Sequence, residues 1–111
     1  MAVPHTISTH VLDTETGRPA EGLPVRLSRI RADGGTAPAG AGRTNADGRI
    51  PQLLQGDLEV GSYRLTFEVH EYQPLCFFRE VSLEVAVDDA SRSYHVPLLL
   101  APYGVSSYRG S

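Results

Sequence analysis

The chain contains no lysine; all 10 of its basic residues are arginine. Schiff-base chemistry is therefore excluded. The only cations besides histidine are planar, permanently charged guanidinium groups suited to bidentate contacts. There is a single cysteine, Cys76, so no internal disulfide can form and no zinc site can be assembled from thiolates. Its setting, Pro74-Leu-Cys-Phe-Phe78, is apolar and predicts a buried structural thiol rather than a nucleophile. No apolar run approaches the length of a membrane span. The formal net charge of −3, with acids and bases interspersed, offers no basic patch for nucleic acid. The opening residues, Met1-Ala-Val-Pro-His-Thr6, have neither a charged n-region nor an apolar h-region, so the chain reads as cytoplasmic. At 111 residues it reads as one domain, 1–111, long enough to bury roughly two-thirds of its unfolded surface.

Helical periodicity is also scarce, whereas alternation is common. Leu23, Val25 and Leu27 point one way while Arg26 and Ser28 point the other. Over Gly61–Val69 the residues Tyr63, Leu65, Phe67 and Val69 share one face, and Arg64, Thr66 and Glu68 share its opposite. Thr6–Leu12, Val81–Val87 and Tyr94–Leu100 read as further strands, with shorter ones at Gly40–Thr44, Arg49–Leu53 and Val105–Tyr108. Turn clusters separate them at Asp13–Gly17, Asn45–Gly48 and Asp88–Ser91. His70–Pro74 has room for one helical turn, which Pro74 would stop. About eight short strands at this spacing predict an all-β, antiparallel two-sheet sandwich with at most one short helix. A lone sandwich leaves edges open, and the apolar stretch Val96–Leu100 beside Tyr103 and Tyr108 is a candidate for pairing across a two-fold axis.

Motifs for familiar chemistries are absent. There is no nucleophile elbow, P-loop, dinucleotide fingerprint or HExxH, and nothing points to a covalent nucleophile, a metal or a cofactor. Asp13 with Glu15, and Asp57 with Glu59, are spaced as acid pairs, but each pair lies in a glycine-bearing turn and reads as solvated loop charge. His10, Arg49 and His95 stand out on strands or strand edges. Taken singly, each also has an ordinary structural reading, the histidines as half-buried strand residues and Arg49 as a turn-flanking surface arginine.

Taken together they read differently. His10 in Thr9-His-Val-Leu-Asp13, Arg49 in Asp47-Gly-Arg-Ile50, His95 in Tyr94-His-Val-Pro-Leu-Leu-Leu100 and the closing Tyr108-Arg-Gly-Ser111 follow one another along the chain. In that order they resemble the motifs of the 5-hydroxyisourate hydrolases of the transthyretin-like family, over essentially the full length. The first half alone, with Gly17-Arg-Pro19, Val25-Arg-Leu27 and Gly61-Ser-Tyr-Arg-Leu65, resembles prealbumin-like sandwiches in general, including non-catalytic ones. The fuller resemblance implies a transthyretin-like fold and ring opening of 5-hydroxyisourate to 2-oxo-4-hydroxy-4-carboxy-5-ureidoimidazoline without a cofactor. It further implies an active site of His10, Arg49, His95 and Ser111 lined by Tyr108, in a homotetramer whose sites lie in a channel between dimers. One histidine would take a proton from water and the other would orient substrate or protonate the leaving nitrogen. Arg49 would hold the substrate and the developing oxyanion, and Ser111 would act through its hydroxyl or its carboxylate. Arg79, Ala101, Val105 and Ser107 depart from the family's common residues, and none is one of the four site positions. The competing reading is a non-catalytic transthyretin-like module that binds a small molecule or a protein.

Overall fold

The computed structural model describes residues 4–111. In chain order its elements are β1 (Ile7–Asp13), β2 (Arg18–Pro19), β3 (Pro24–Ile30), β4 (Thr36–Arg43), β5 (Arg49–Ile50), β6 (Gly61–Phe67), α1 (Val69–Tyr72), β7 (Val81–Val87), β8 (Tyr94–Ala101) and β9 (Gly104–Ser107). They form two sheets. One has the order β2–β1–β8–β9, with β5 also paired to β1; the other has the order β4–β3–β6–β7. The inward positions of both sheets make the core: Ile7 and Val11, Val25 and Leu27, Tyr63, Leu65 and Phe67, Leu98 and Leu100 are all buried. The alternation read from β3 is the alternation observed, and that of β6 holds from Tyr63 to Phe67, where Thr66 is buried as well.

The all-β sandwich is as expected, but it is not wholly antiparallel. β1 and β8 run parallel, in register from Ile7 against Tyr94 to Asp13 against Leu100. A parallel pair needs a long crossover, and here the chain supplies it by building the whole second sheet in between. Local sequence carries no sign of strand direction, so the exception is invisible to pattern reading.

Three further differences have physical causes. β4 starts at Thr36 rather than Gly40. Its Thr-Ala-Pro-Ala-Gly-Ala-Gly-Arg sequence is too small and too poor in β-formers to show alternation, and only an edge position tolerates Pro38. Val69, expected to finish a strand, instead begins the single turn of α1, which ends at Tyr72 and is followed by an extended Gln73 and then by Pro74. The stretch Val96–Leu100 is not a free surface. It lies on β8, between β1 and β9, with Val96, Leu98 and Leu100 buried in the chain's own core. The strands with one neighbour each at that end of the sandwich are β7 and β9.

Candidate active site

Alternation on β1 sends Ile7, Thr9 and Val11 into the core and leaves Ser8 and His10 on the outward face. On β8 it buries Tyr94 and Val96 and turns His95 outward. The parallel register then sets Ser8 directly against His95. β5 reaches the same face from the other side of β1, with Arg49 against His10 and Ile50 against Thr9. A turn holds β5 there. The Asn45 carboxamide oxygen accepts from the backbone N–H of Asp47 at 2.9 Å and of Arg49 at 3.0 Å. Gly48 has φ 75°, and the Val11 N–H donates to its carbonyl at 2.7 Å. A Cβ on Gly48 would lie 2.5 Å from the Val11 carbonyl oxygen, so no side chain fits where this turn docks on β1.

The end of the chain folds back onto the same place. Gly110 bridges to His95, its N–H donating to the His95 carbonyl at 2.8 Å. A Cβ on Gly110 would meet His95 Cδ2 at 2.5 Å, so the tail passes the imidazole only because position 110 has no side chain. Ser111 is thereby delivered to an open hollow of about 340 Å³ shared with Ser8, Arg49, Pro51, Ser93 and His95. Arg49, His95 and Ser111 thus come together around one space. His10 is not among the lining residues but stands next along the same face, in register with Arg49, and its charge acts on His95. Tyr108 does not join them. It is 59% exposed and lines a separate groove with Leu83, Val85, Val96 and Arg109, where the β7 and β9 edges approach.

Among the described residues, no aspartate or glutamate lines the hollow. Half-buried His95 is held below its ordinary pKa of 6.5, first by burial and then by the positive charges of Arg49 and His10. Its Nδ1 lies 2.8 Å from the Ser8 hydroxyl. Its Nε2 has no protein partner among the described residues and is not buried, so it is open to solvent. Arg49 makes no ion pair among the described residues. The site therefore offers a neutral imidazole, a second histidine and an uncommitted guanidinium, which suits proton transfer with stabilisation of a developing oxyanion. Ser8 does not stand out in the sequence, and Gly110 figures there only within the closing Tyr108-Arg-Gly-Ser111 motif. Ser8 lies two residues before His10 and so shares its face, which is the one signal the sequence offers for it.

The other candidates have structural duties. The Asp13 carboxylate accepts from the Tyr72 hydroxyl at 2.8 Å and from the backbone N–H of Glu15 at 3.0 Å, and Glu59 pairs with Arg29 at 2.8 Å. Cys76 is buried, and its thiol faces the Ala101 carbonyl at 3.4 Å. Glu68, His70 and Glu71 bring ligand-type atoms within 4.8 Å of one another, away from the hollow. That cluster is already engaged: Glu68 with Arg26 at 2.7 Å, Glu71 with Arg43 at 3.7 Å, and His70 Nδ1, which donates to the Arg79 carbonyl at 2.9 Å.

Comparison with known proteins gives a consistent result. A family model described as the HIUase/Transthyretin family matches residues 7–110. The 5-hydroxyisourate hydrolase of Deinococcus radiodurans is 42% identical over 114 residues, covering 95% of this chain and 95% of its own length. Among solved structures, Klebsiella pneumoniae 5-hydroxyisourate hydrolase is 38% identical with a TM-score of 0.82, covering 96% of this chain and 99% of that one. Sea bream transthyretin, solved in complex with thyroxine, is 25% identical with a TM-score of 0.87, covering 94% of this chain and 93% of its own. A hydrolase and a thyroxine-bound protein thus share the sandwich, and the fold by itself does not choose between catalysis and binding.

Proposed function

This chain belongs to the HIUase/transthyretin family, and we infer that it opens the ring of 5-hydroxyisourate by hydrolysis, a step of urate breakdown. It is a hydrolase, and its product is 2-oxo-4-hydroxy-4-carboxy-5-ureidoimidazoline. The observation that carries the site assignment is the convergence of Arg49, His95 and Ser111 on one hollow with His10 beside them.

In the proposed reaction a water oxygen attacks a ring amide carbonyl carbon. One histidine takes the water's proton, the C–N bond breaks, and the leaving nitrogen gains a proton from the other histidine. The lowered pKa of His95 favours it as the base, because it is neutral at physiological pH. His10 then orients substrate or supplies the proton. Arg49 faces the carbonyl oxygen, where its fixed charge offsets the growing negative charge without a proton of its own being transferred. Ser111 supplies a polar contact through its hydroxyl or its carboxylate.

The proposal includes a homotetramer with sites in a channel between dimers. It is supported by a site that lies open on an outward sheet face and by a groove of about 330 Å³ at the β7 and β9 edges. Tyr108 lines that groove in the single chain, so its proposed role at the site depends on assembly. Cytoplasmic residence is part of the same reading and fits a buried free thiol. No described helix is long and apolar enough to cross a membrane.

The test is the absorbance decay of freshly generated 5-hydroxyisourate, with light scattering on the same sample. Accelerated decay by a tetramer supports the proposal. Saturable binding without accelerated decay would instead make this a binding module, and an active monomer would remove the inter-dimer channel.

A further inference from the structure

We infer that Ser8 is a positioning residue for His95, fixing the imidazole by a hydrogen bond to Nδ1 so that Nε2 is the ring atom offered to substrate and water. The inference rests on the site reading above and adds to it a residue whose role is exerted through His95.

Three observations carry it. The parallel register of β1 and β8 sets Ser8 and His95 side by side on one face. The Ser8 hydroxyl lies 2.8 Å from Nδ1 and makes no other side-chain hydrogen bond among the described residues. On its other flank the ring faces Gly110, where even a Cβ would sit 2.5 Å from Cδ2. The imidazole is therefore confined on both sides, and a ring flip would exchange the Nδ1–Ser8 contact for a carbon against the hydroxyl. With Nδ1 engaged, Nε2 is the polar atom the ring has left, and His95 lines the open hollow.

The choice of hydroxyl has a chemical consequence. A serine oxygen can donate to a bare Nδ1 or accept from Nδ1–H, simply by rotating its hydrogen. For Nε2 to take a proton it must be bare, so neutral His95 donates from Nδ1–H to the Ser8 oxygen, and the imidazolium keeps that same hydrogen bond without movement of the ring. A carboxylate at this position would favour the charged imidazolium and raise its pKa. The charged and titratable groups around His95 are His10 from β1, Arg49 from β5 and Ser111 from the tail, and none is an aspartate or glutamate. Ser8 thus orients the base while leaving its proton affinity to burial and to the neighbouring cations.

The experiment uses three full-length variants: Ser8→Val, Ser8→Thr and Ser8→Asp. Valine and threonine have the same shape, so the hydroxyl is the only difference between them. Ser8→Val is expected to lower kcat about 10- to 100-fold, as displacement of a catalytic group does, with little change in KM. Ser8→Thr is expected to keep most of the parent rate. Ser8→Asp is expected to move the acid limb of the pH–rate profile to higher pH. Equal rates for the valine and threonine variants, with parent-like melting temperatures, would overturn the inference. So would an unmoved acid limb in Ser8→Asp.

A second readout is independent of turnover. In 15N NMR of the imidazole rings, Ser8→Val is expected to shift the His95 Nδ1 resonance and leave His10 in place; an unchanged His95 resonance would overturn the inference. This arm separates the two readings. If the parent fails to accelerate 5-hydroxyisourate decay, the proposed function fails while the Ser8–His95 coupling is still decided by the resonance.

Discussion

On the outward face of the β4–β3–β6–β7 sheet, polar groups neutralise one another. Arg26 pairs with Glu68 at 2.7 Å, Arg64 with Glu84 at 2.6 Å, and the Thr66 and Ser82 hydroxyls meet at 3.3 Å. On the outward face formed by β1, β5 and β8 they do not. Among the described residues Arg49 has no acid, His95 Nε2 has no protein partner, and no aspartate or glutamate lines the hollow. Both faces arise from the same two-residue alternation. The difference lies in which charges the register places together. Exposed pairs that satisfy each other contribute little to stability and have nothing left for a ligand. Uncompensated groups around a hollow are free to act on one.

Removing the tail should break the comparison most completely. A chain ended at Ser107 loses Ser111 from the hollow and Gly110 from the flank of His95. Its hydrolysis is expected to be undetectable. Its melting temperature should fall only modestly, because Tyr108, Arg109 and Ser111 are exposed and a bridge from Gly110 to His95 ties the tail to the sheet. Next come His10→Ala and His95→Ala. Each is expected to lower turnover by about two to four orders of magnitude while circular dichroism shows an intact fold. Parent-like rates in both variants would sink the proton-transfer scheme.

Part of this face is legible in the sequence, and part is not. His10, Arg49 and His95 each sit at outward positions that alternation identifies, and the Asp47-Gly48 turn announces where β5 begins. Ser8 escapes notice although it shares the face of His10, because a lone serine on a strand has no chemical signature until its neighbour is known. That neighbour is set by a parallel register spanning 87 residues of sequence, which no local pattern encodes. The approach of Gly110 to the imidazole is of the same kind. Tyr108 shows the opposite case: an aromatic in a distinctive tail that, within one chain, lies in the β7–β9 groove instead of the hollow. The first half of β4 is hidden because Thr36-Ala-Pro-Ala39 leaves no alternation to follow.

Smaller effects sharpen the contrast. Arg49→Lys keeps a charge but loses the planar fork, and a loss on the order of 100-fold is expected if Arg49 holds the oxyanion. Wild-type kinetics in that variant would mean that any cation serves. Turnover should also fall as pH drops through the His95 pKa. Because burial and the adjacent cations hold that value below 6.5, the limb belongs on the acid side of 6.5, and a limb at or above it would contradict the assignment of His95 as base.

The smallest effect is expected away from both faces. Tyr72 donates to Asp13 at 2.8 Å, tying α1 to β1, and Tyr72→Phe should cost about 1 kcal/mol of stability with turnover unchanged. Burial, the hydrogen bond to Asp13 and the charge of Asp13 raise the Tyr72 pKa from 10.0 to about 12. A raised folded value means that this contribution is complete below pH 10 and is lost as pH climbs from there to about 12. Melting curves that coincide for parent and variant at neutral pH would show that the hydrogen bond contributes nothing.

The central claim is that the uncompensated face of β1, β5 and β8 performs the hydrolysis and the paired face of the other sheet does not. It is tested most directly by measuring the decay of fresh 5-hydroxyisourate with the parent protein, with the His10→Ala/His95→Ala double variant and with the Arg64→Ala/Glu84→Ala double variant. The expected result is rapid decay with the parent and with the Arg64/Glu84 variant, and decay at the buffer rate with the histidine variant. A parent no faster than buffer, or a folded histidine variant as fast as the parent, would contradict it.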